Sequence, residues 1–260
     1  MTSAPATATV HYTCAAGIGR LVIDRPPVNV LDIATLDALN AALAEAAADR
    51  GLKVLALSGA GRAFCAGVDV ADHTADRVER MLQLFHDAIR RLMAFEAPVV
   101  ALVHGAALGG GCELVLACDF VVASDDLKIG QPEIQLGVFP PVAVALLNRL
   151  IGRQNALDLV LTGRTIRADE AQRMGLVSRV FPAAEFASAS EAVLASLASQ
   201  SGPAMRLAKR AVRGSASLPF VPALERAEDL YLNELMQLGD AREGIAAFIE
   251  KRKPVWQDPA

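Results

Sequence analysis

The stretch Gly109-Gly110-Gly111-Cys112-Glu113, followed by Gln131-Pro132-Glu133, is the most informative part of this chain. Three consecutive glycines leave the backbone without side chains, so a ligand atom can approach its N–H groups closely. The helix-forming residues 114–118 make the glycine run a predicted helix N-terminus, where N–H groups lack intrahelical partners. Glu113 and Glu133 add two carboxylates. Backbone N–H groups can polarise a carbonyl group, and carboxylates beside them can accept and deliver protons.

The composition limits the classes of function. Of the 260 residues, 53% are hydrophobic, which is enough for a sizeable core and for a subunit interface. The formal net charge is −4 and both signs are scattered along the chain, which does not favour a nucleic-acid partner or an anionic membrane surface. The apolar run 97–118 is interrupted by Pro98, His104 and Glu113, so we expect a strand, a turn and a buried helix there rather than a membrane span.

The cysteines and histidines of this chain are not spaced as metal ligands usually are, and the sequence predicts no metal site. The four cysteines lie in apolar neighbourhoods, which is typical of reduced, buried thiols in a cytoplasmic protein. These cysteines and the four histidines are Cys14, Cys65, Cys112, Cys118, His11, His73, His86 and His104. Residues 1–13 contain no apolar segment of signal-peptide length, and we expect a cytoplasmic location.

The first half of the chain alternates short β-rich runs with amphipathic helical patterns, which predicts an α/β core. The β-rich runs are 20–24, 54–58, 99–103 and 120–123, and the helical patterns are 33–43 and 78–92. After about Pro141 the strand signal almost disappears, apart from 177–180, and the rest is predicted to be helical. We therefore expect an α/β core with a helical C-terminal extension.

Each candidate residue also has a purely structural interpretation. Glu113 can simply complement the dipole of its helix, and Glu133 can be a loop carboxylate bonded to nearby N–H groups. Cys65, in the glycine-containing segment 61–69, has no histidine beside it and is more typical of a buried thiol than of a nucleophile. Asp69 is more typical of a turn or cap than of an acid catalyst. The two glutamates together are more informative than either one alone.

Four motifs, in order along the chain, resemble the enoyl-CoA hydratase/isomerase (crotonase) superfamily. They are Phe-Cys-Ala-Gly-Val-Asp at 64–69, Gly-Ala-Ala-Leu-Gly-Gly-Gly-Cys-Glu at 105–113, Gly-Gln-Pro-Glu at 130–133 and Phe-Ile-Glu-Lys-Arg at 248–252. Shorter matches at 162–163, 168–171 and 175–177 extend the resemblance over nearly the whole chain. It implies an α/β fold with a crotonase-like spiral of β-β-α turns and the CoA thioester site in residues 1–200. It also implies a C-terminal helical trimerisation region in residues 201–260.

The same resemblance implies the ligand and the assembly. The substrate is an acyl-CoA, so no separate cofactor is expected, because coenzyme A is part of the substrate. The protein is expected to be a homotrimer or a dimer of trimers. The N–H groups of Val68 and Gly110 match the oxyanion hole around the thioester carbonyl. Ala66 matches the backbone position that holds the adenine, and Lys251 matches a lysine that approaches the CoA phosphates, often across a subunit boundary.

The implied reaction is hydration of a C=C bond conjugated with the thioester. Glu113 and Glu133 match the two glutamates with which hydratases of the family hold and split water, whereas isomerases commonly need one. One departure stands out: common hydratases have Pro-Gly-x-Gly-Gly where residues 139–143 are Phe-Pro-Pro-Val-Ala. Pro141 has no backbone N–H, so we expect a donor that helps to hold the water to be missing. We also expect segments 72–80 and 139–147 to line the acyl pocket.

Segments 67–74 and 137–141 look most like cyclohexa-1,5-diene-1-carbonyl-CoA hydratases of aromatic compound degradation, which implies 1,4-addition of water to a cyclic dienoyl-CoA. The alternatives are an ordinary 2-enoyl-CoA hydratase of fatty-acid or amino-acid catabolism and an enoyl-CoA isomerase. A different class, RNA-binding or scaffold relatives, calls for a lysine-rich exposed helix. The helices expected at 33–48 and 77–95 carry mixed charges, which disfavours that class.

Overall fold

The computed structural model describes residues 9–257, which contain two β-sheets. The strands are β1 (Val10–Ala15), β2 (Ile18–Ile23), β3 (Val54–Gly59), β4 (Val99–Val103), β5 (Ala106–Leu108), β6 (Phe120–Ser124), β7 (Lys128–Gly130), β8 (Thr165–Arg167) and β9 (Arg179–Phe181). The six-stranded sheet has the order β1-β2-β3-β4-β6-β9, in which β1 and β2 are antiparallel and the other neighbours are parallel. The three-stranded sheet has the order β5-β7-β8.

Helices connect the strands and make up most of the chain after β7. They are α1 (Ile33–Ala48), α2 (Val78–Ala94), α3 (Gly110–Leu116), α4 (Pro141–Thr162), α5 (Ala168–Met174), α6 (Phe186–Ala198), α7 (Gly202–Ser215), α8 (Phe220–Asn233) and α9 (Gly239–Ile249). Short 3-10 helices span Val70–His73, Pro132–Leu136 and Leu235–Gln237. Gly152, at φ 76° and ψ 160°, is not helical and places a kink within α4.

The core lies on both faces of the central parallel strands. Side chains alternate between the two faces of a strand, so a strand covered on both sides is apolar throughout. In β3, Leu55 and Leu57 belong to the large cluster that also contains the inner faces of α1 and α2. Val54 and Ala56 point the other way, into a smaller cluster with Leu194 of α6.

Main-chain hydrogen bonds tie the two glycine-containing segments together. Cys65 forms an isolated parallel bridge with Ala107, with the Cys65 N–H donating to the Ala106 carbonyl at 3.0 Å and the Leu108 N–H donating to the Cys65 carbonyl at 3.0 Å. A Cβ atom built on Gly111 would lie 2.2 Å from the Cys65 carbonyl oxygen. The backbone approach between the segments is therefore too close for any side chain at position 111.

A second bridge anchors the segment that follows. The Leu31 N–H donates to the Gly67 carbonyl, and the Asp69 N–H donates to the Leu31 carbonyl, both at 2.9 Å. Because these two bonds flank Val68, its own N–H points away from Leu31. The main chain alone thus fixes the path from 65 to 69.

The expected α/β class is confirmed, and so is the predicted helix N-terminus at the glycine run, where α3 begins at Gly110. The expectation that strands are nearly absent after Pro141 is wrong for β8, which pairs antiparallel with β7. A strand of three residues is too short to produce a periodic pattern in the sequence. Residues 1–8 and 258–260, which belong to the expected regions 1–200 and 201–260 and to the N-terminal segment 1–13, lie outside the described residues. Within residues 9–257, no helix is long and apolar enough to cross a membrane.

Candidate active site

Most residues singled out from the sequence meet at one cavity. It has a volume of about 370 Å³ and lies between α2, α3, the 3-10 helix Pro132–Leu136 and the start of α4. Six of the seven expected site residues line it: Ala66, Val68, Gly110, Glu113, Glu133 and Pro141. Lys251 does not line it and lies exposed just beyond the end of α9.

The N–H groups of Val68 and Gly110 lie side by side at this cavity. A Cβ atom built on Gly110 would lie 3.3 Å from the Val68 nitrogen, which shows how closely the two backbones approach. Within residues 9–257, neither N–H group donates a hydrogen bond. Unpaired backbone donors at a partly buried site are costly unless a ligand satisfies them. The arrangement can therefore receive an oxygen atom that carries or gains negative charge.

Glu113 lies in the first turn of α3 and is 3% exposed. Its Oε1 accepts a hydrogen bond from the Ala143 N–H at 2.8 Å. The pKa of Glu113 is raised to about 7, mainly by burial and further by the negative charge of Glu133, while hydrogen bonds from the backbone of Ala143 and Val142 oppose the shift. Glu113 is thus a carboxyl group that can gain or lose a proton near neutral pH.

Glu133 follows β7 and lies in the 3-10 helix Pro132–Leu136. Burial raises the pKa of this carboxyl above its ordinary value. Gln131, which is fully buried, directs its amide nitrogen at both carboxylate oxygens, at 3.1 and 3.2 Å, in the orientation that satisfies both ends of the amide. A Cβ atom built on Gly109 would lie 2.5 Å from Oε1 of Glu133. The carboxylate therefore fits against position 109 only because a glycine stands there.

Sequence reasoning missed the role of Gln131. Its place in the Gly-Gln-Pro-Glu motif, two residues before Glu133, was the available signal. Gln131 directly precedes the 3-10 helix that begins at Pro132 and carries Glu133.

The rest of the cavity wall is mostly apolar. From segments 72–80 and 139–147, which were expected at the acyl pocket, His73, Val78 and 139–141 line this cavity and the other residues do not. Asp72 is one of the others: its buried carboxylate accepts from the Ile33 N–H at 2.9 Å and pairs with Arg77 at 2.8 Å. Further wall residues not expected from the sequence are Val70, Met81, Leu82, Phe85, His86, Leu136 and Val138. Such a lining suits a hydrocarbon group next to the two carboxylates.

Pro141 is the first residue of α4 and lines the cavity beside Glu113. A proline is well suited to this helix position because the first N–H groups of a helix have no intrahelical partner. The donor that contacts Glu113 comes from two residues further on, at Ala143. The first turn of α4 thus supplies main-chain donation to Glu113 from positions 142 and 143, without any contribution from position 141.

The backbone N–H and C=O groups of Ala66 differ in their hydrogen bonding. Its N–H donates to the Val28 carbonyl at 2.9 Å. Within the described part of the chain its own carbonyl oxygen accepts no hydrogen bond, and the residue lines the cavity. This carbonyl is available to accept from an amino group of a bound ligand.

The remaining candidates have structural roles. Asp69 caps the 3-10 helix Val70–His73 by accepting from the Ala71 N–H at 3.0 Å, as expected from the sequence. Burial raises the pKa of the Cys65 thiol to about 12, so it is a buried thiol and not a nucleophile at neutral pH. Among residues 9–257, no group of histidine, cysteine and carboxylate side chains is arranged to hold a metal ion.

Comparison with known proteins identifies the family of this chain. The family described as Enoyl-CoA hydratase/isomerase matches residues 13–259. A probable enoyl-CoA hydratase of Rhizobium meliloti is 39% identical over 239 residues, covering 91% of this chain and 93% of that protein. A cyclohexa-1,5-dienecarbonyl-CoA hydratase of Thauera aromatica is 36% identical over 239 residues, covering 92% of each. The crystal structure of an enoyl-CoA hydratase from Bacillus anthracis superimposes with a TM-score of 0.91 at 31% identity, covering 95% of this chain and 98% of that one. The fold is thus the crotonase fold, and the chain is an enzyme that belongs to the enoyl-CoA hydratase/isomerase family.

Proposed function

We propose that this enzyme adds water to the C=C bond of a 2-enoyl-CoA thioester. One observation carries the proposal: Glu113 and Glu133 face the same cavity as the unpaired N–H groups of Val68 and Gly110. An enoyl thioester placed with its carbonyl oxygen on the two N–H groups would have its double bond beside the two carboxylates. Coenzyme A enters as part of the substrate, so the reaction uses no separate cofactor.

The chemistry follows from this placement. The oxygen of water bonds to the β carbon, the π electrons move toward the carbonyl oxygen, and a proton then bonds to the α carbon. One carboxylate accepts the proton that water loses, and the other carboxyl group delivers a proton to carbon. Losing one oxyanion-hole donor typically costs about 10²–10³ in rate, and a positioned acid or base contributes roughly 10²–10⁴. The raised pKa values of Glu113 and Glu133 support a pair that shares one proton near neutral pH.

The acyl group is proposed to be a linear 2-enoyl chain. The relative from Rhizobium meliloti carries the plain name of enoyl-CoA hydratase, and the apolar wall suits a hydrocarbon chain. Hydration of a cyclic dienoyl-CoA is the second candidate, because the relative from Thauera aromatica is named for that reaction and is similar over the whole chain. In such a 1,4-addition the hydroxyl group and the proton bond to the two ends of the conjugated diene. The support from Pro141 for this candidate is limited to one difference: proline has no backbone N–H at a position where ordinary hydratases have one.

A panel of substrates tests the proposal. Purified enzyme is mixed with crotonyl-CoA, longer 2-enoyl-CoAs, a 3-enoyl-CoA and cyclohexa-1,5-diene-1-carbonyl-CoA, and products are identified by mass. We expect addition of water to the linear 2-enoyl-CoAs. Hydration of the cyclic dienoyl-CoA alone would favour the second candidate, and conversion of the 3-enoyl-CoA without a mass change would indicate an isomerase. If neither the enzyme nor its Glu113→Gln variant converts any of these substrates, the proposed reaction is wrong.

The C-terminal region 201–260 is proposed to hold three subunits together. Several large apolar side chains of α8 and α9 are exposed in the single chain, among them Phe220 (77%) and Phe248 (85%). Others on the same two helices are Val221, Leu224, Tyr231, Leu232, Ile245 and Ile249. Patches of this kind usually mark a protein interface. In a trimer or a dimer of trimers, Lys251 of one subunit is proposed to reach the CoA phosphates bound to a neighbour.

A further inference from the structure

A second cavity, of about 550 Å³, lies between the end of α2 and the helices α7 and α8. It shares no lining residue with the candidate active site. Within the described part of the chain, five basic side chains line it, against the single carboxylate of Glu96. The basic residues are Arg206, Lys209, Arg210 and Arg213 of α7 and Arg226 of α8. The cavity is therefore strongly basic, in a chain whose formal net charge is −4.

The four basic residues of α7 lie on one face of that helix. The first is Arg206, and the others follow it after three, four and seven residues, which is the spacing of side chains along one side of an α-helix. All four line the cavity. The sequence of α7 thus concentrates positive charge on the side that faces the cavity.

Carboxylates compensate only part of the charge on α7. Asp119 is shared by two cations, because one of its oxygens lies 2.5 Å from Lys209 and the other lies 2.8 Å from Arg213. The other two pairs are Glu96 with Arg206 and Glu234 with Arg210. Three carboxylates thus pair with four cations, and one positive charge is left over.

Arg226 of α8 adds a second uncompensated charge. Its guanidinium group lies against α7 at Gly214, where a Cβ atom would be 2.6 Å from Nε and 3.0 Å from Nη2 of Arg226. The group fits there because position 214 has no side chain. Among residues 9–257, Arg226 forms no ion pair. Packing against α7 therefore holds an unpaired guanidinium group at the cavity.

The chemistry of the lining favours one kind of ligand. Four of the five cations are arginines, and a guanidinium group presents paired N–H donors that match the oxygens of a phosphate group. Two uncompensated positive charges at one concave surface favour a ligand with at least two negative charges. The cavity is larger than a phosphate group alone requires, and Met93, Phe95 and Leu207 make part of its wall apolar. Such a cavity suits a phosphate or diphosphate group, either free or attached to a small organic group.

We propose that the cavity between α2, α7 and α8 binds the phosphate or diphosphate group of a small anionic ligand, with Arg226 and Arg210 as contacts. Because Arg226 belongs to α8 and the other cations belong to α7, the ligand would hold the two helices together. The site lies outside the candidate active site, so the proposal does not depend on the hydration reaction. It concerns a second ligand of the same enzyme.

Calorimetric titration of the purified full-length enzyme tests the proposal. The probes are inorganic phosphate, pyrophosphate and uridine 5′-diphosphate, in a buffer of low ionic strength. We expect pyrophosphate to bind with a Kd below about 1 mM, and more tightly than phosphate. Added sodium chloride should weaken the binding, because salt screens the charges. Tighter binding of uridine 5′-diphosphate than of pyrophosphate would identify an organic diphosphate as the ligand, and the reverse order would identify the inorganic anion.

Substitutions at Arg226 locate the binding site. Arg226→Gln should weaken pyrophosphate binding by at least about tenfold, because a charged hydrogen-bond donor is lost. Arg226→Lys keeps the charge but not the forked donors, so it should lose less. The matched control is Arg153→Gln. Arg153 is exposed on α4, does not line the cavity and, within the described residues, also forms no ion pair. Its substitution should leave the affinity unchanged.

Two results would overturn the proposal. One is the absence of pyrophosphate binding up to about 10 mM, which is the result expected if a neighbouring subunit fills the cavity in the assembled enzyme. The other is binding that Arg226→Gln and Arg210→Gln both leave unchanged, because the anion would then lie elsewhere. Urea unfolding of each variant confirms that it is folded, and Arg226→Lys with Arg210→Gln decides the question if Arg226→Gln does not fold. Hydration activity enters neither result, so a failure of the proposed function would leave this test intact.

Discussion

The Glu113 carboxylate accepts a hydrogen bond from the Ala143 N–H at 2.8 Å, which joins the first turn of α3 to the first turn of α4. One oxygen of Glu113 is thereby committed to the backbone, and the other is left for a reactant in the cavity. The contact also satisfies an N–H at the start of α4, where no side chain of the preceding residue, Pro140, can cap the helix. Glu113 thus serves the fold and the site at once.

Replacing either glutamate by glutamine should lower turnover strongly. Glutamine keeps the shape of the side chain but can neither accept nor deliver the proton. We expect kcat in Glu113→Gln and in Glu133→Gln to fall by roughly 10²–10⁴, with smaller changes in KM. Near-parental hydration by either variant, measured on crotonyl-CoA, would show that the pair does not act as proposed.

Glu113→Gln should also change the pH dependence of stability. The pKa of Glu113 is about 7 in the folded chain against an ordinary value of 4.5, so between these values the unfolded chain releases a proton that the folded chain retains. This group therefore destabilises the fold progressively as pH rises from 4.5 to 7.

Glu113→Gln removes this loss of stability and keeps a side-chain oxygen that can accept from the Ala143 N–H. Its free energy of unfolding relative to the parent should rise over this pH range, by up to about 3 kcal/mol at 1.36 kcal/mol per pKa unit. Urea unfolding at pH 4.5, 6 and 8 measures the difference. A difference that is constant across the three values would contradict a proton held by Glu113.

Gly109→Ala should move the Glu133 carboxylate. The new Cβ atom would lie 2.5 Å from Oε1, so the carboxylate must shift, and the φ of 52° adds backbone strain. We expect kcat to fall by at least about tenfold, since small misplacements of reacting groups are costly.

Gly152→Ala is the control for strain alone. Gly152 also has a positive φ, of 76°, but a Cβ atom there meets nothing within 4 Å. It should lose stability with little change in kcat at a temperature where it is folded. Equal losses of kcat in the two variants would mean that the contact with Glu133 is unimportant.

Gln131→Met should destabilise the ionised form of the Glu133 carboxylate. Methionine fills a similar volume but removes an amide that lies 3.1 and 3.2 Å from the two carboxylate oxygens. A hydrogen bond to a charged group contributes about 1.5–3 kcal/mol, so we expect kcat to fall by about ten- to a hundredfold. The acid limb of the pH profile of kcat should move to higher pH. A pH profile that does not move would assign Gln131 to packing alone.

Phe248→Glu should disrupt the assembly. Phe248 is 85% exposed in the single chain, and a carboxylate buried in an apolar interface without a partner is strongly unfavourable. Light scattering should give about three, or six, times the 27.3 kDa chain mass for the parent and a smaller mass for the variant. Phe248→Met keeps the apolar contact and should assemble like the parent. A parent that is monomeric at micromolar concentration would contradict the proposed trimerisation region.

The sequence predicts long, self-sufficient elements better than short ones. Helices α1 and α2 were expected at 33–48 and 77–95, and they span Ile33–Ala48 and Val78–Ala94. Their amphipathic patterns run over four turns or more, and α1 has a capping residue in Asp32, which accepts from the Thr35 N–H. In contrast, β5, β7 and β8 have three residues each and exist because neighbouring main chain pairs with them. No local pattern encodes such partners.

The candidate site shows the same division. Glu113 and Glu133 were identifiable because their motifs combine glycines with carboxylates in a recognisable order. The contact of Gln131 with Glu133 was not predictable, because the motif does not show in which direction the Gln131 side chain points. The Ala143 donor was also missed, since any residue except proline offers the same N–H at that position.

The two bridges that anchor 65–69, Cys65 with Ala107 and Leu31 with Val68, have a consequence for how the enzyme can vary. They consist of main-chain bonds, so the spacing between the Val68 and Gly110 donors is set without side chains. The apolar wall of the cavity, in contrast, consists of side chains such as Met81 and Phe139. If the acyl group lies against this wall as proposed, wall residues can be exchanged for larger, smaller or polar ones while the two backbone donors keep their spacing. The substrate range can then be redesigned through the wall without disturbing the proposed thioester site.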